Sequence, residues 1–428
     1  MPLPGRLSMK PYSSQPYLHP FRIRQTDATS ANTYVQDSKF LMRSNEAFKY
    51  LKDEVTQWRR HLHRIPELDY DLYDTAAFVA AKLRSFGIDH IEEGVAKTGI
   101  IALVEGSGAS GETIGLRADM DALPIVEQSS KPWASTHYGK MHGCGHDGHM
   151  AMLLGAAKHL ATTRNFKGRV ALIFQPAEEG ALGGLWMVQD GIMDRYNISS
   201  VFGLHNEPGM AVGDYGTCYG PFMAALDEFD LIVKGKGGHA AEPHRCIDPI
   251  VITAHVLLGL QTLVSRGTDP LESLVVSVTK LSAGAAYNII PEHVTVSGTV
   301  RTLSSELRDF AQRQIDSTAQ RIAAAFGGST ELRYRRQDPV TFNSTIQTEL
   351  ALKAARAAVE SAAVNDKLAP VMGSEDFAYM LEARPGCYMF LGNGSTAALH
   401  NPAYDFNDDA IPYGIAYWVN LVETVLST

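Results

Sequence analysis

The sequence predicts an α/β protein: a mainly parallel sheet with helices on both faces, interrupted by an inserted α+β module of ferredoxin-like, split-βαβ order. Three observations carry the prediction. Strand-like and helix-like segments alternate up to about residue 221, the pattern of a parallel sheet with helical crossovers. Between residues 222 and 336 the order changes to β-α-β-β-α-β. From residue 337 the first rhythm resumes, so 44–221 and 337–428 read as one domain and 222–336 as a second. A chain of 428 residues is long enough for two cores.

Residues 1–43 stand apart. Pro2, Pro4, Pro11, Pro16 and Pro20 forbid a continuous helix, and no apolar run follows the basic residues as a secretory signal requires. A disordered or non-conforming extension is expected there, with no part in function. Residues 44–65 read as a helix through Phe48, Leu51, Val55, Trp58 and Leu62, ended by Pro66. Asp74 is placed to cap a second helix through Phe86, stopped by Gly87. Strands follow at 99–104 and 113–117, the second running into Asp119-Met120-Asp121. A His- and Cys-rich turn then opens a helix to about Thr163. Strand 169–175, helix 185–189 and strand 200–205 complete the first part.

In the insert, strands are expected at 228–234, 273–281, 293–300 and 329–335, with helices at 247–265 and 304–326. The longer helix carries Leu307, Phe310, Ala311, Ile315, Ile322 and Phe326 on one face, and Gly327-Gly328 close it. Helices from Thr345 and over 374–381, a strand at 387–391 and a last helix to Val425 return to the first domain.

Composition narrows the function classes. A net charge of −9 argues against nucleic-acid binding, which needs a basic patch. No apolar run reaches the roughly 18 residues of a membrane span. The four cysteines show no framework spacing, which fits a reducing, cytoplasmic setting.

The chemistry concentrates at Met141–His149, where His142, Cys144, His146, Asp147 and His149 fall within nine residues. Cys and His hold zinc and related transition metals, and the intervening glycines allow a turn that brings Cys144 and His146 to one centre. The bland alternative is a set of polar residues at a helix start; five ligand-type residues this close favour a metal site. Glu178-Glu179 follows a strand. Read as extended backbone, the pair points to opposite sides, so one carboxylate can bind metal while the other serves as general base. Asp119, Asp121, Glu178, Glu179 and His205 all fall where strands end, the usual place for ligands in open α/β sheets. His205 and His400 taken singly are ordinary histidines.

Eight short segments in order resemble the amidohydrolase branch of the M20 metallopeptidase family. They are residues 117–124 (RADMDALP), 141–149, 174–179 (FQPAEE), 203–205, 237–241 (GGHAA), 288–291 (NIIP), 373–377 (GSEDF) and 399–402 (LHNP). The resemblance runs from about residue 45 to the C-terminus and is strongest toward hippurate hydrolases. It implies that Cys144, His146, Glu179, His205 and His400 hold two divalent metal ions per subunit. Zinc or manganese leads, with cobalt or nickel next, and Cys144 bridges. Glu178 becomes the general base acting on a metal-activated water. Where the wider family has His-x-Asp, this chain has Asp119-Met120-Asp121, so those aspartates are assigned to orienting ligands. His239 is implied as an oxyanion donor reaching a partner subunit's site, with the inserted module serving as lid and dimerisation surface. Asn288 and Arg301 are candidates for the substrate carboxylate.

The expected function is hydrolysis of the amide bond of an N-acyl or N-aroyl amino acid by a cytoplasmic homodimer, with no nucleic-acid or membrane partner. Competing readings are an aminohydrolase acting on an aromatic amine, a dipeptidase or carboxypeptidase, and a catalytically silent assembly protein. The intact ligand set with Glu178 argues against silence.

Overall fold

The computed structural model describes residues 44–108, 111–359 and 363–427, which belong to one compact unit. The extension 1–43 lies outside the described residues. Eight strands form the larger sheet, in the order Ile91–Val95, Gly99–Glu105, Arg169–Gln175, Thr113–Asp119, Ile198–Pro208, Gly386–Gly394, Tyr215–Gly216, Val364–Asn365. The four from Arg169–Gln175 to Gly386–Gly394 run parallel, and antiparallel pairs flank them.

Both faces of this sheet are covered. Along Gly99–Glu105, Ile100, Ala102 and Val104 enter one core, while Ile101 and Leu103 enter another. That is why its sequence is a continuous apolar run and not an alternation. Helices Lys52–Arg64, His146–Thr163 and Ile411–Val425 cover the first face; Met187, Ile192 and Met380 are among the residues covering the second.

A second sheet holds Leu274–Ala283, His293–Thr302, Ala225–Lys234 and Ser329–Arg336 in that order, all antiparallel. Numbered along the module this is 4-1-3-2 read from the Ser329–Arg336 edge, the arrangement that a β-α-β-β-α-β chain produces. Alternate residues Phe229, Leu231 and Val233 turn into a separate core with Val256, Leu260, Ile315 and Ala319 of helices Pro249–Ser265 and Ser305–Ala325. Asp248 caps the first of these helices through the Ile250 N–H at 2.8 Å, with Pro249 as first helical residue. Ser304 caps the second through the Leu307 N–H at 3.2 Å.

Local departures from expectation have identifiable causes. The first helix opens as a 3-10 turn over Asn45–Leu51 before becoming α-helical at Lys52. The second starts at Tyr73, so Asp74 sits inside its first turn instead of capping it. Strand Ile91–Val95 escaped the periodicity because it is an edge strand with mostly half-exposed or exposed residues. Over residues 374–381 only Ala378 onward is helical. Glu178-Glu179 is not extended: it forms a turn between Ala177 at φ +57° and Gly180 at φ +99°. Among the described residues no helix is long and apolar enough to cross a membrane.

Candidate metal centre and active site

The site forms beyond the carboxyl ends of the parallel strands. Gly145 is the hinge on which it turns. At φ +93° it ends the approach to the helix His146–Thr163 in a conformation that L side chains rarely adopt, and a Cβ there would lie 2.5 Å from both Asn206 Nδ2 and the Tyr404 hydroxyl. Cys144 is thereby left outside the helix while His146 becomes its first residue. His149, one turn on, shares that face.

Hydrogen bonds decide which histidine nitrogens are free. His146 donates Nδ1–H to the Asp121 carbonyl at 2.8 Å, which leaves Nε2 buried without a hydrogen-bond partner. His205 donates Nδ1–H to the Asn206 carbonyl at 2.7 Å, leaving Nε2 3.4 Å from Cys144 Sγ. His149 is different. Its Nδ1–H goes to Asp119 Oδ1 at 2.6 Å and its Nε2 accepts the Asn206 N–H at 3.0 Å, so both nitrogens are engaged by protein. It lies within reach of the cluster Asp119, His146 and His205, but its bonds make it a brace for Asp119 and Asn206.

Like both His142 nitrogens and Asp147 Oδ1 in the same region, Glu179 Oε1 is buried without a hydrogen-bond partner. It lies 3.8 Å from His146 Nε2 and 3.5 Å from His400 Nε2. Two unsatisfied ligand-type atoms facing one another in a buried space, with a thiol beside them, suit a divalent cation. The residues present therefore fit a metal: Cys144, His146, Glu179, His205 and His400 offer soft and borderline donors. Burial and nearby acids push the Cys144 thiol well up, and a bound cation would reverse that by taking the thiolate.

Asp121, with its Oδ1 3.6 Å from His146 Nδ1, shapes the glutamate pair. Its two oxygens accept the backbone N–H groups of Glu178 and Glu179, each at 3.0 Å, which clamps the turn. Burial, then Glu375 and Glu179, raise Glu178 well above the usual carboxylate range. Burial opposes ionisation of Glu179 too, but His400 and His146 outweigh it and hold that carboxyl down. His400 is kept in place at φ +64° by its N–H, which donates to the Gly143 carbonyl at 2.8 Å.

Further residues complete the setting that sequence reasoning left unassigned. Glu375 takes Arg117 Nη2 at 2.8 Å and the Tyr388 hydroxyl, and lies near Glu178. Asn206 Nδ2 donates to the Cys144 carbonyl at 2.6 Å, and Tyr404 donates to Asn206. Behind the helix start, buried Arg59 reaches Asp147 at 3.6 Å, Asp405 at 2.9 Å and Asp408 at 2.8 Å. It thus ties the Cys144–His146 segment to the segment after His400. Glu375 stood in one of the family segments; Arg59 carried no signal before the chain was folded.

His63 belongs to the same network and yields a pH prediction. Burial pushes it down, but Asp147, which accepts its Nδ1–H at 2.8 Å, and Glu127 hold it up at about 9. A histidine raised from 6.5 contributes stability that is full below pH 6.5 and lost as pH rises through about 9. Metal-free protein should lose about 3 kcal/mol across that window from this group, and His63→Gln should remove that difference. Urea unfolding of both proteins at pH 6 and 9 checks it.

A cavity of ≈ 490 Å³ opens over the donors, lined by Cys144, Glu178, Glu179, His205, His400 and Arg301 among others. Arg301 spends one N–H on the Met372 carbonyl at 2.8 Å. Neither His239 nor Asn288 lines this cavity. His239 is exposed on a two-residue strand paired with Ile289–Ile290, and the Asn288 carbonyl accepts the Ala240 N–H at 3.0 Å beside it.

Comparison with known proteins agrees with this arrangement. Residues 115–424 match the model of peptidase family M20/M25/M40. The chain belongs to that family. It is 41% identical over 362 residues to the N-acetyl-L-cysteine deacetylase of Bacillus subtilis, covering 84% of this chain and 85% of that one. It is 38% identical over 371 residues to the hippurate hydrolase of Campylobacter jejuni, covering 87% and 96%. A solved Bacillus subtilis structure, described as a dinuclear metal-binding peptidase of the M20 family, superposes with TM-score 0.79 at 34% identity, covering 90% of this chain and 99% of that one. The protein is thus an M20-family hydrolase, with residues grouped as a metal site requires.

Proposed function

We propose that this M20 hydrolase cleaves the amide bond of N-acyl or N-aroyl amino acids with two divalent metal ions, zinc or manganese, held by Cys144, His146, Glu179, His205 and His400. The observation that carries the reading is one cavity lined by Glu178, by four of those donors (Cys144, Glu179, His205 and His400) and by Arg301. The relatives named as an acetylcysteine deacetylase and a hippurate hydrolase support this substrate class. Bound cations supply Lewis acidity: they polarise the carbonyl and lower the pKa of water.

The chain's own residues do the rest. Glu178 takes a proton from the attacking water and returns it to the leaving nitrogen, a task suited to a carboxylate with raised proton affinity. Asp121 holds its backbone in place, and Asp119 braces the imidazoles through His149. Arg301 offers the substrate carboxylate the N–H groups that Met372 leaves free; Asn288, the other candidate for that carboxylate, lines no part of its own chain's cavity. The module 222–336 acts as lid and dimer surface, from which His239 serves the other subunit's site.

Exhaustive chelation is expected to abolish turnover of hippurate and N-acetyl amino acids, and one divalent metal to restore it. Assays alongside elemental analysis check this; full activity in metal-free protein rules the reading out.

A further inference from the structure

We propose that Glu207 selects substrates whose amino-acid part carries a cationic amine, such as Nα-acyl derivatives of ornithine or lysine. This rests on the proposed hydrolysis of N-acyl amino acids and narrows its substrate class. His205 and Glu207 lie two residues apart on the strand Ile198–Pro208, so their side chains leave the same face. Both line the ≈ 490 Å³ cavity. At a rise of about 3.3 Å per residue, Glu207 stands roughly 7 Å further along the wall than His205. That is the reach of a short amino-acid side chain from the reacting amide.

The other acids of the wall have work already. Glu375 is held by Arg117 at 2.8 Å and by Tyr388. Glu179 faces His146 and His400, Asp338 is bonded by Ser374, and Glu178 is the base. Glu207 is half-buried, and among the described residues its carboxylate meets no hydrogen-bond donor or cation. Arg301 is the one Lys or Arg side chain on the wall, and it forms no ion pair with Glu207. A wall with one unpaired carboxylate and one guanidinium complements an amino acid bearing both an α-carboxylate and a distal ammonium. Met223, Leu226 and Phe390 supply apolar surface for the methylenes between them. A half-desolvated carboxylate loses hydration in the free enzyme, and a cationic ligand restores its partner. An anionic side chain would meet repulsion instead.

The test holds the acyl group constant. Metal-loaded wild type, Glu207→Gln and Glu207→Lys are assayed at low salt with Nα-acetyl-ornithine, Nα-acetyl-lysine, N-acetyl-norleucine and N-acetyl-glutamate. Wild type should favour the cationic substrates over norleucine by about tenfold or more in kcat/KM, in line with a charge-assisted hydrogen bond. Glu207→Gln should bring that ratio close to one, and Glu207→Lys should shift preference toward N-acetyl-glutamate. A merely structural role would lower all four substrates in parallel and leave the ratio intact, which overturns the proposal. So does a wild-type ratio of one or below, while hydrolysis as such stands. If none of these substrates, nor hippurate, is turned over, the amidohydrolase reading falls and this inference with it.

Discussion

Glu178→Gln is expected to lower kcat by about 10²–10⁴-fold while metal content stays unchanged. The amide keeps the size of the side chain but accepts no proton from water. The turn survives the change, because Asp121 grips the backbone N–H of residue 178 and not its side chain. Glu179→Gln should act differently. Its Oε1 is a buried atom without a hydrogen bond, set between His146 and His400, so losing its charge should weaken metal binding first and activity as a consequence. Elemental analysis with kcat on both variants separates the roles. Activity within about tenfold of wild type for Glu178→Gln rejects the assignment of the base.

His239→Ala should cost about 10²–10³-fold in rate, the usual cost of one lost oxyanion donor, again with full metal content. Its geometry defines the experiment. His239 Nδ1 accepts the Ala241 N–H at 3.0 Å, so in the neutral ring Nε2 carries the proton and is the donor. The ring is exposed, on a short ribbon with Ile289–Ile290, and lines no part of its own chain's cavity. On the proposed mechanism, a donor in that position would act in the site of a second subunit. A two-fold dimer through the smaller sheet would bring it there, since each copy then presents the same ribbon to the other. Mixing His239→Ala with Glu178→Gln under subunit exchange should restore activity, because a mixed dimer has one site with both defects and one with neither. Verified mixed dimers as inactive as their parents exclude action across the interface.

Much of the architecture was legible in the chain because it depends on local periodicity. The helix Ser305–Ala325 declares itself through an apolar face, a serine cap and a closing Gly-Gly. Strands such as Gly99–Glu105 and Arg169–Gln175 are unbroken apolar runs. The strand Ile91–Val95 was not legible, since an edge position asks for no apolar pattern. Clustering of Cys144, His146 and Glu179 followed from residue type and strand-end position. The shape of the glutamate turn did not: extended backbone was the natural expectation for two carboxylates after a strand. The actual turn depends on Asp121, more than fifty residues earlier.

The sequence by itself determined the sheet-and-insert order, the family, and the set of ligand-type side chains, because these reside in short-range pattern and residue chemistry. Tertiary structure alone decided which of those side chains remain free. His146 and His149 are the same residue type three positions apart on one helix. His149 is saturated by Asp119 and Asn206, while His146 keeps a bare Nε2 because Asp121 takes only its other nitrogen. The partners come from distant strands, and a hydrogen bond to a distant strand leaves no mark in local sequence. The same holds for Glu207, whose lack of a partner is visible only once every neighbour is in place.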